Sequence, residues 1–190
     1  FTGITFLSYA LVGKRVELLR EVMPNAKRLA VLSNPDHGGD AKEFAETRRA
    51  ALGLGFEVSH HPATNTIELR QALATAAAAR AEAIVFHPDA LMVQERALVA
   101  RFAIEHRLPA ISAWAAMAEA GALLTYGPVL QEGYRRLAYF VDRILRGAKP
   151  SDIPVEQPTK FELLINLKTA HALGLSLPQS LRLRADQVIE

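Results

Sequence analysis

The chemistry open to this chain rests on its six histidines and its carboxylates, because it contains no cysteine. No two histidines have the i, i+4 spacing with a nearby carboxylate that a helical zinc site needs. His60 and His61 are adjacent, so in a strand their side chains point to opposite faces. His87 is the exception, since it ends the apolar run AIVFH and would lie where a buried strand stops. The sequence predicts neither a metal site nor a cofactor.

Asp89 follows the same apolar run, where phosphoacceptor receiver domains carry an aspartate. Such domains also need an acidic pair after the first strand and a lysine after the fifth, and this chain has Ser-Asn-Pro-Asp and Tyr-Gly at those points. Asp89 is therefore expected to cap a helix beginning near Leu91, a role that a ligand contact can share. The chain has no G-x-S-x-G elbow, and the Gly-Leu-Gly at 53–55 lacks the third glycine of a dinucleotide fingerprint. The sequence predicts a protein that is not an enzyme.

Alternating strands and helices must position these residues. Apolar runs predict strands at 28–33, 56–60, 83–87, 108–112 and 122–126, and helical spacing predicts helices at 40–54, 65–81, 91–107 and 128–146. This alternation favours an α/β fold with a parallel, doubly wound sheet and helices on both faces. Ligands of such sheets bind at the carboxyl ends of the strands, near a topological switch point.

Polar and aromatic side chains at those strand ends are the candidate ligand-binding residues. Trp114 could stack on a flat solute or pack under the next helix, and Tyr126 could line either a cleft or a hinge. An amino-acid ammonium would suit Asp36 or Asp89, and its carboxylate would suit helix N-terminal amides after Pro35 or Pro88. The full candidate set is Asn34, Asp36, His87, Asp89, Ser112, Trp114 and Tyr126.

The cleanest helix in the sequence is predicted at 128–146. Pro128 suits its first turn and Gly147 its C-terminal cap. One side of the helix is apolar, and a stripe of that size is expected to be buried against another surface. The stripe consists of Leu130, Tyr134, Leu137, Ala138, Val141, Ile144 and Leu145.

Three segments together resemble a known family. They are DIPVEQPTKFELLINLKTA at 152–170, GALLTYGP at 121–128 and TGITFL at 2–7. They look like the closing segment and the two other interdomain crossings of the periplasmic substrate-binding proteins of ABC transporters, in the family that includes binders of tryptophan and other aromatic amino acids. The resemblance implies a type I periplasmic-binding-protein lobe with the first lobe largely missing. It divides the chain into a crossing at 1–8, the C-terminal lobe at 9–127, a first-lobe helix at 128–150, and a return crossing with the end of the second lobe at 151–190.

The resemblance implies a solute-binding component of an ABC importer that holds a small molecule, such as an amino acid, between two lobes. Its partners would be that solute and a membrane permease. The protein would be periplasmic, or lipid-anchored outside the cytoplasm. The alternative is an effector-sensing domain of a transcription regulator with the same fold. Nucleic-acid binding by this chain is not expected, because 22 basic and 20 acidic residues give a net charge of only +2 and are scattered. Without a first lobe, the stripe on the helix at 128–146 predicts self-association or a helix folded back onto its own lobe.

Overall fold

The protein is described by a computed structural model that covers residues 2–190. Seven strands form one sheet in the order β2-β1-β3-β4-β5-β6-β7. Neighbouring strands from β2 to β5 are parallel, β6 is antiparallel to β5, and β7 is parallel to β6. The strands are β1 Arg28–Ser33, β2 Glu57–Pro62, β3 Ala83–Phe86, β4 Ala110–Ser112, β5 Leu124–Pro128, β6 Phe161–Asn166 and β7 Gln187–Ile189. This confirms the predicted α/β fold with a mostly parallel sheet.

Helices flank both faces of the sheet. They are α1 Ser8–Val22, α2 Asp40–Gly53, α3 Thr66–Ala78, α4 Ala90–Gln94, α5 Arg96–Glu105, α6 Ala115–Ala120, α7 Leu130–Leu145, α8 Leu167–Leu173 and α9 Gln179–Leu183. The single helix predicted at 91–107 is wrong, because Glu95, at φ −96° and ψ 18°, ends α4 before α5 begins. Helical spacing could not reveal this break, since both short helices bury residues at helix-compatible positions.

The core lies in two layers because successive residues of a strand face opposite sides of the sheet. Leu29 and Val31 of β1 pack into the layer beneath α1, α8 and α9, whereas Ala30 and Leu32 pack into the layer beneath α3 and α5. Strand β3 is buried along its whole length, as expected of a parallel strand covered on both faces.

Helix ends follow the predicted capping chemistry. The side chain of Asn65 accepts hydrogen bonds from the amides of Ile67 and Glu68 at the start of α3. Gly147, at φ 98°, follows the last turn of α7 and donates its N–H to the carbonyl of Ile144, while Ala148 donates to that of Arg143. This is the Schellman arrangement, in which glycine tolerates the left-handed conformation.

Segments near the start and end of the chain meet beside α7. Glu156 forms a parallel bridge with Ile4, donates its amide to the carbonyl of Gly3 at 2.9 Å and accepts from the amide of Thr5 at 2.9 Å. Its carboxylate also pairs with Arg136 of α7 through two hydrogen bonds of 2.5 Å. Helix α7 is thus anchored where the two extended segments run side by side.

The apolar stripe of α7 is largely open to solvent. Tyr134 is 63% exposed, Val141 55% and Leu145 82%, and Phe140 is the one α7 side chain that is buried. The expectation that the helix folds back to bury this stripe on its own lobe is therefore wrong. The anchoring contacts lie at Phe140 and at the Arg136–Glu156 pair, which leaves the stripe free. Among the described residues, no helix is both long and apolar enough to cross a bilayer.

Candidate functional site

Strands β1 and β3 are the topological switch point of the sheet. The chain leaves β1 for β2 on one side and then returns to β3 on the other, so the loops that follow β1 and β3 diverge and open a crevice between them. Asn34 follows β1, and Asp89 follows β3. The Asn34 side-chain amide donates to the Asp89 carboxylate at 3.1 Å, which joins the two loops across the crevice.

Both members of this pair are held in place by the backbone. The amide of Leu91 donates to Asp89 at 2.8 Å, so Asp89 caps α4 as predicted. The carbonyl oxygen of the Asn34 side chain accepts the amide of Asp36 at 3.0 Å, which fixes the turn after β1. Asp36 itself is exposed. These contacts place Asn34, Asp36 and Asp89 together at the carboxyl edge.

Helix N-termini at this edge are poorly suited to a carboxylate. Helix α4 has five residues, and the amide of Leu91 in its first turn already donates to Asp89. Helix α2 carries Asp40 in its first turn, where its negative charge opposes an incoming anion. The anion site expected after Pro35 or Pro88 therefore has no support in this geometry.

An apolar pocket opens next to Asp89. Its volume is about 410 Å³, and it is lined by residues from four separate segments of the chain. Phe6 precedes α1, Trp114 follows β4, and Leu130 and Tyr134 lie on the first turns of α7. The complete lining is Phe6, Ala90, Val93, Gln94, Trp114, Leu130 and Tyr134.

Trp114 forms the wall of this pocket nearest the sheet. Its ring meets Phe6 edge to face, with ring centroids 6.3 Å apart and an interplanar angle of 71°. The indole N–H is buried and has no acceptor within the described part of the chain. Trp114 therefore offers the pocket an aromatic surface that suits a flat solute, while its indole N–H is buried without a partner.

Two of the predicted residues lie behind the crevice instead of in it. His87 is 2% exposed, and its ring contacts Thr47 and Asp40 at 3.0 and 3.3 Å. Ser112 is 1% exposed and donates to the carbonyl of Phe86 at 3.0 Å. Their side chains are turned into the lobe, where protein groups satisfy them. The expectation that both face the solute is corrected accordingly.

Tyr126 lies apart from Trp114. It packs with the core layer beneath α1, stacks on Phe161 with centroids 6.5 Å apart, and borders a separate shallow pocket with Lys14 and Arg184. Its carbonyl accepts a hydrogen bond from the buried Arg15 at 2.9 Å. Because β5 residues alternate between the two faces, Tyr126 points away from the pocket that holds Trp114.

A second cavity of about 210 Å³ lies on the other side of Phe6, among the extended segments and α7. Its charged groups already have partners, since Arg136 pairs with Glu156 and Lys160 lies 3.6 Å from Glu132. Across residues 2–190, no group of three or more metal-binding side chains is found. The pocket beside Trp114 is therefore the better candidate for a small organic solute.

A parallel α/β lobe with a pocket at the carboxyl ends of its strands is typical of a domain of the periplasmic-binding-protein type. The sequence model of the ABC transporter substrate binding protein family matches residues 1–189, so the chain belongs to that family. This confirms the resemblance carried by the three segments.

Individual relatives agree with this assignment. A curated tyrosine-binding protein from Clostridioides difficile is 24% identical over 95% of this chain and 50% of its own length. A conserved domain protein from Vibrio cholerae superposes with a TM-score of 0.91 at 24% identity, over 98% of this chain and 62% of that one. An ABC domain from Streptococcus pneumonia in complex with L-Trp superposes with a TM-score of 0.87 at 23% identity. The match covers 99% of this chain and 64% of that one. The chain thus spans about half to two thirds of these relatives, which are binding proteins where their names state a role.

Sequence reasoning identified only Trp114 among the seven lining residues and missed the other six. Phe6 lies in the TGITFL segment and not at a strand end, and Leu130 and Tyr134 belong to the apolar stripe of α7. The remaining three, Ala90, Val93 and Gln94, lie on α4 after Asp89. The resemblance implies that the interdomain crossings pass close to the strand ends. That proximity is the signal that could have identified the pocket residues in the crossings.

Proposed function

We propose that this chain is part of the solute-binding component of an ABC importer, and that it supplies one wall of the binding cleft. The observation that carries the proposal is the pocket of Phe6, Trp114 and Tyr134 beside the Asn34–Asp89 pair. Aromatic walls next to a carboxylate fit an amino acid with a flat, apolar side chain. The named relatives bind tyrosine and L-Trp, which supports the same class of solute here.

In this proposal, the solute's side chain lies against Trp114 and its ammonium group meets Asp89. The family match describes transporter substrate-binding proteins and so favours an importer over the effector-sensing domain of a regulator. No turnover is expected, since the role is to hold the solute and not to transform it.

We infer that the full-length protein also has the family's first lobe, because the relatives are longer than this chain. The segments at 1–8, near 128 and around 151–161 would be the crossings. The second lobe at 9–127 would be completed by the end of the chain, and the helix at 128–150 would pack on the first lobe. The solute would contact both lobes only when they close, so binding would shift the population toward the closed state. Closure would signal to a permease in the membrane. The protein would be periplasmic, or lipid-anchored outside the cytoplasm.

A ligand screen of the full-length protein tests the proposal. L-Tryptophan, L-tyrosine and L-phenylalanine are compared with L-leucine, glucose and indole by isothermal titration calorimetry and thermal shift. A ligand at 100 times its Kd adds about 2.7 kcal/mol of stability, enough to shift a melting curve clearly. Binding of the aromatic amino acids supports the proposal. Binding of glucose alone, or of none of the panel, contradicts the assignment of the solute class.

A further inference from the structure

One face of helix α4 runs along the apolar pocket. Ala90, Val93 and Gln94 all line it, and their i, i+3, i+4 spacing places them on the same side of the helix. Ala90 and Val93 are apolar, so Gln94 is the one side chain of this face that can form hydrogen bonds. Helix α4 therefore presents a hydrocarbon surface that ends in an amide.

Gln94 is exposed at the end of this face. The two polar residues that follow it are engaged with the protein. Glu95 accepts a hydrogen bond from the hydroxyl of Thr66 at 2.8 Å, and Arg96 donates to the carbonyl of Val93 at 2.9 Å. Gln94 is thus the polar group that this end of α4 offers to the pocket.

Asp89 and Gln94 lie at opposite ends of α4. Asp89 caps the first turn, and Gln94 is the last residue of the helix. Because an α-helix rises about 1.5 Å per residue, the two positions are separated by about 7 Å along its axis. An aromatic amino acid spans a comparable distance from its ammonium group to the polar edge of its ring. A solute whose ammonium meets Asp89 would therefore bring that edge to Gln94.

The side-chain amide of Gln94 has both a carbonyl acceptor and N–H donors. An indole N–H only donates hydrogen bonds, and a phenol hydroxyl both donates and accepts them, so either group could pair with the amide. A phenyl ring in the same place would cover the amide without offering it a partner, which costs affinity. The amide therefore distinguishes rings that carry a polar group from rings that do not.

We propose that Gln94 is a specificity-determining residue that hydrogen-bonds the ring N–H or O–H of an aromatic amino acid. This role for Gln94 rests on the proposed solute-binding function, and it adds which aromatic rings the site prefers.

Two other lining residues carry polar groups. The buried indole N–H of Trp114 only donates, so it cannot accept from a donor on the solute. The hydroxyl of Tyr134 could accept, but Tyr134 lies on α7, whereas Gln94 is fixed relative to Asp89 by one short helix. The geometry therefore favours Gln94, and Tyr134 is the competing residue in the test.

The test compares L-tryptophan with L-3-benzothienylalanine, in which sulfur replaces the indole N–H and the ring keeps nearly the same shape. Calorimetry on the full-length protein gives the ratio of the two affinities. The wild type is expected to prefer L-tryptophan by about three- to ten-fold, the effect of one hydrogen bond. Gln94→Met, which has a similar length and only a weak acceptor, is expected to lose this preference. Gln94→Glu keeps a strong acceptor and is expected to retain it.

Gln71→Met is the matched control, because it replaces an exposed glutamine of α3 outside the pocket, and it is expected to leave the ratio unchanged. A preference that survives in Gln94→Met, or equal binding of both ligands by the wild type, overturns the role of Gln94 and leaves the solute class intact. Loss of the preference in Tyr134→Phe but not in Gln94→Met also overturns it. Failure of the wild type to bind either ligand contradicts the proposed solute class, and the role of Gln94 with it.

Discussion

At the scale of single residues, an aromatic pocket lies beside a buried carboxylate, Asp89, which makes two structural contacts. Asp89 caps α4 and accepts from Asn34, so its position is fixed before any solute arrives. Trp114 is held by Phe6 and keeps an unsatisfied indole N–H. Because these groups are preorganised, substitutions there are expected to change affinity more than they change the fold.

Trp114→Ala is expected to weaken binding of an aromatic amino acid strongly. Removing the ring deletes apolar contact worth roughly 1.5–3 kcal/mol, about one to two powers of ten in Kd. Trp114→Phe keeps an aromatic face but lacks the N–H, so it should retain part of the affinity. Calorimetry measures both, with Tyr9→Ala, an exposed aromatic outside the pocket, as the control. Equal affinities for Trp114→Ala and the wild type would remove Trp114 from the site.

Asp89→Asn separates the charge of Asp89 from its capping role. Asparagine keeps the oxygen that caps α4, so the thermal stability should change little, whereas Asp89→Ala loses the cap at a cost of about 1 kcal/mol. The affinity for L-tryptophan should fall in Asp89→Asn, and the affinity for indole-3-propionate, which lacks the ammonium, should not. A parallel loss for both ligands would show that Asp89 does not meet the ammonium.

The pH dependence of stability depends in part on His61. Burial and the nearby charge of His60 hold the pKa of His61 below its ordinary value. The unfolded chain therefore takes up this proton first as the pH falls, and stability should decline below about pH 6.5. His61→Gln should flatten that decline in urea unfolding followed between pH 7.5 and 5.5. An unchanged slope would show that His61 does not contribute.

Asp40 affects the stability of the protein at a lower pH than His61 does. Burial alone would raise its pKa, but hydrogen bonds from His87 and Ser33 outweigh burial, and the pKa of Asp40 lies below its ordinary value. Its stabilising contribution is therefore complete above the unfolded pKa and is lost only as the pH falls through the folded one. The loss of the Asp40 contribution therefore begins below the range between pH 7.5 and 5.5, whereas His60, whose pKa is also lowered by burial, contributes within it and remains in the His61→Gln variant.

At the scale of elements, Gly127 of β5 makes the closest approach of any described glycine to another backbone segment. A Cβ added to Gly127 would lie 2.3 Å from the carbonyl oxygen of Ala113. This contact sets how near the start of α7 comes to the Trp114 loop, and hence the shape of the pocket. Only glycine permits it, because the opposing atoms belong to the backbone.

Gly127→Ala is expected to destabilise the protein by about 1–3 kcal/mol, since the backbone must move apart. Gly53→Ala, at the last residue of α2 with open space around it, is the matched control and should be neutral or slightly stabilising. Denaturant unfolding measures both. A neutral Gly127→Ala would show that the two backbone segments separate without cost.

At the scale of the whole molecule, the chain carries an apolar surface that its own lobe does not cover. Exposed Tyr134, Val141 and Leu145 share one side of α7, and exposed apolar surfaces of this kind tend to find a partner. In the proposed full-length protein that partner is the first lobe. For residues 1–190 alone, a second copy is the simplest substitute.

Residues 1–190 alone are therefore expected to self-associate, and Val141→Gln combined with Leu145→Gln to reduce this association. Leu183→Gln removes an equally exposed leucine elsewhere and is the control. Light scattering across a concentration series gives the oligomeric state. A monodisperse monomer of the unsubstituted chain at high concentration would contradict self-association through α7.

The sequence by itself determined strands β1 to β5 and the family, because hydrophobic periodicity and the three crossing segments are local signals. It did not show the break between α4 and α5. It located Asn34, Asp36 and Asp89 at one edge, since the carboxyl ends of parallel strands meet there. It also gave Asp89 its capping role through residue type and spacing alone.

The tertiary structure alone decided which strand-end side chains reach the crevice. His87 and Ser112 lie at strand ends but turn inward, because Asp40, Thr47 and the Phe86 carbonyl satisfy them from elements distant in sequence. Phe6 and Tyr134 join Trp114 only because the segments before α1 and after β5 pass the same edge. Orientation and convergence of this kind depend on long-range packing, and no local pattern of residues encodes them.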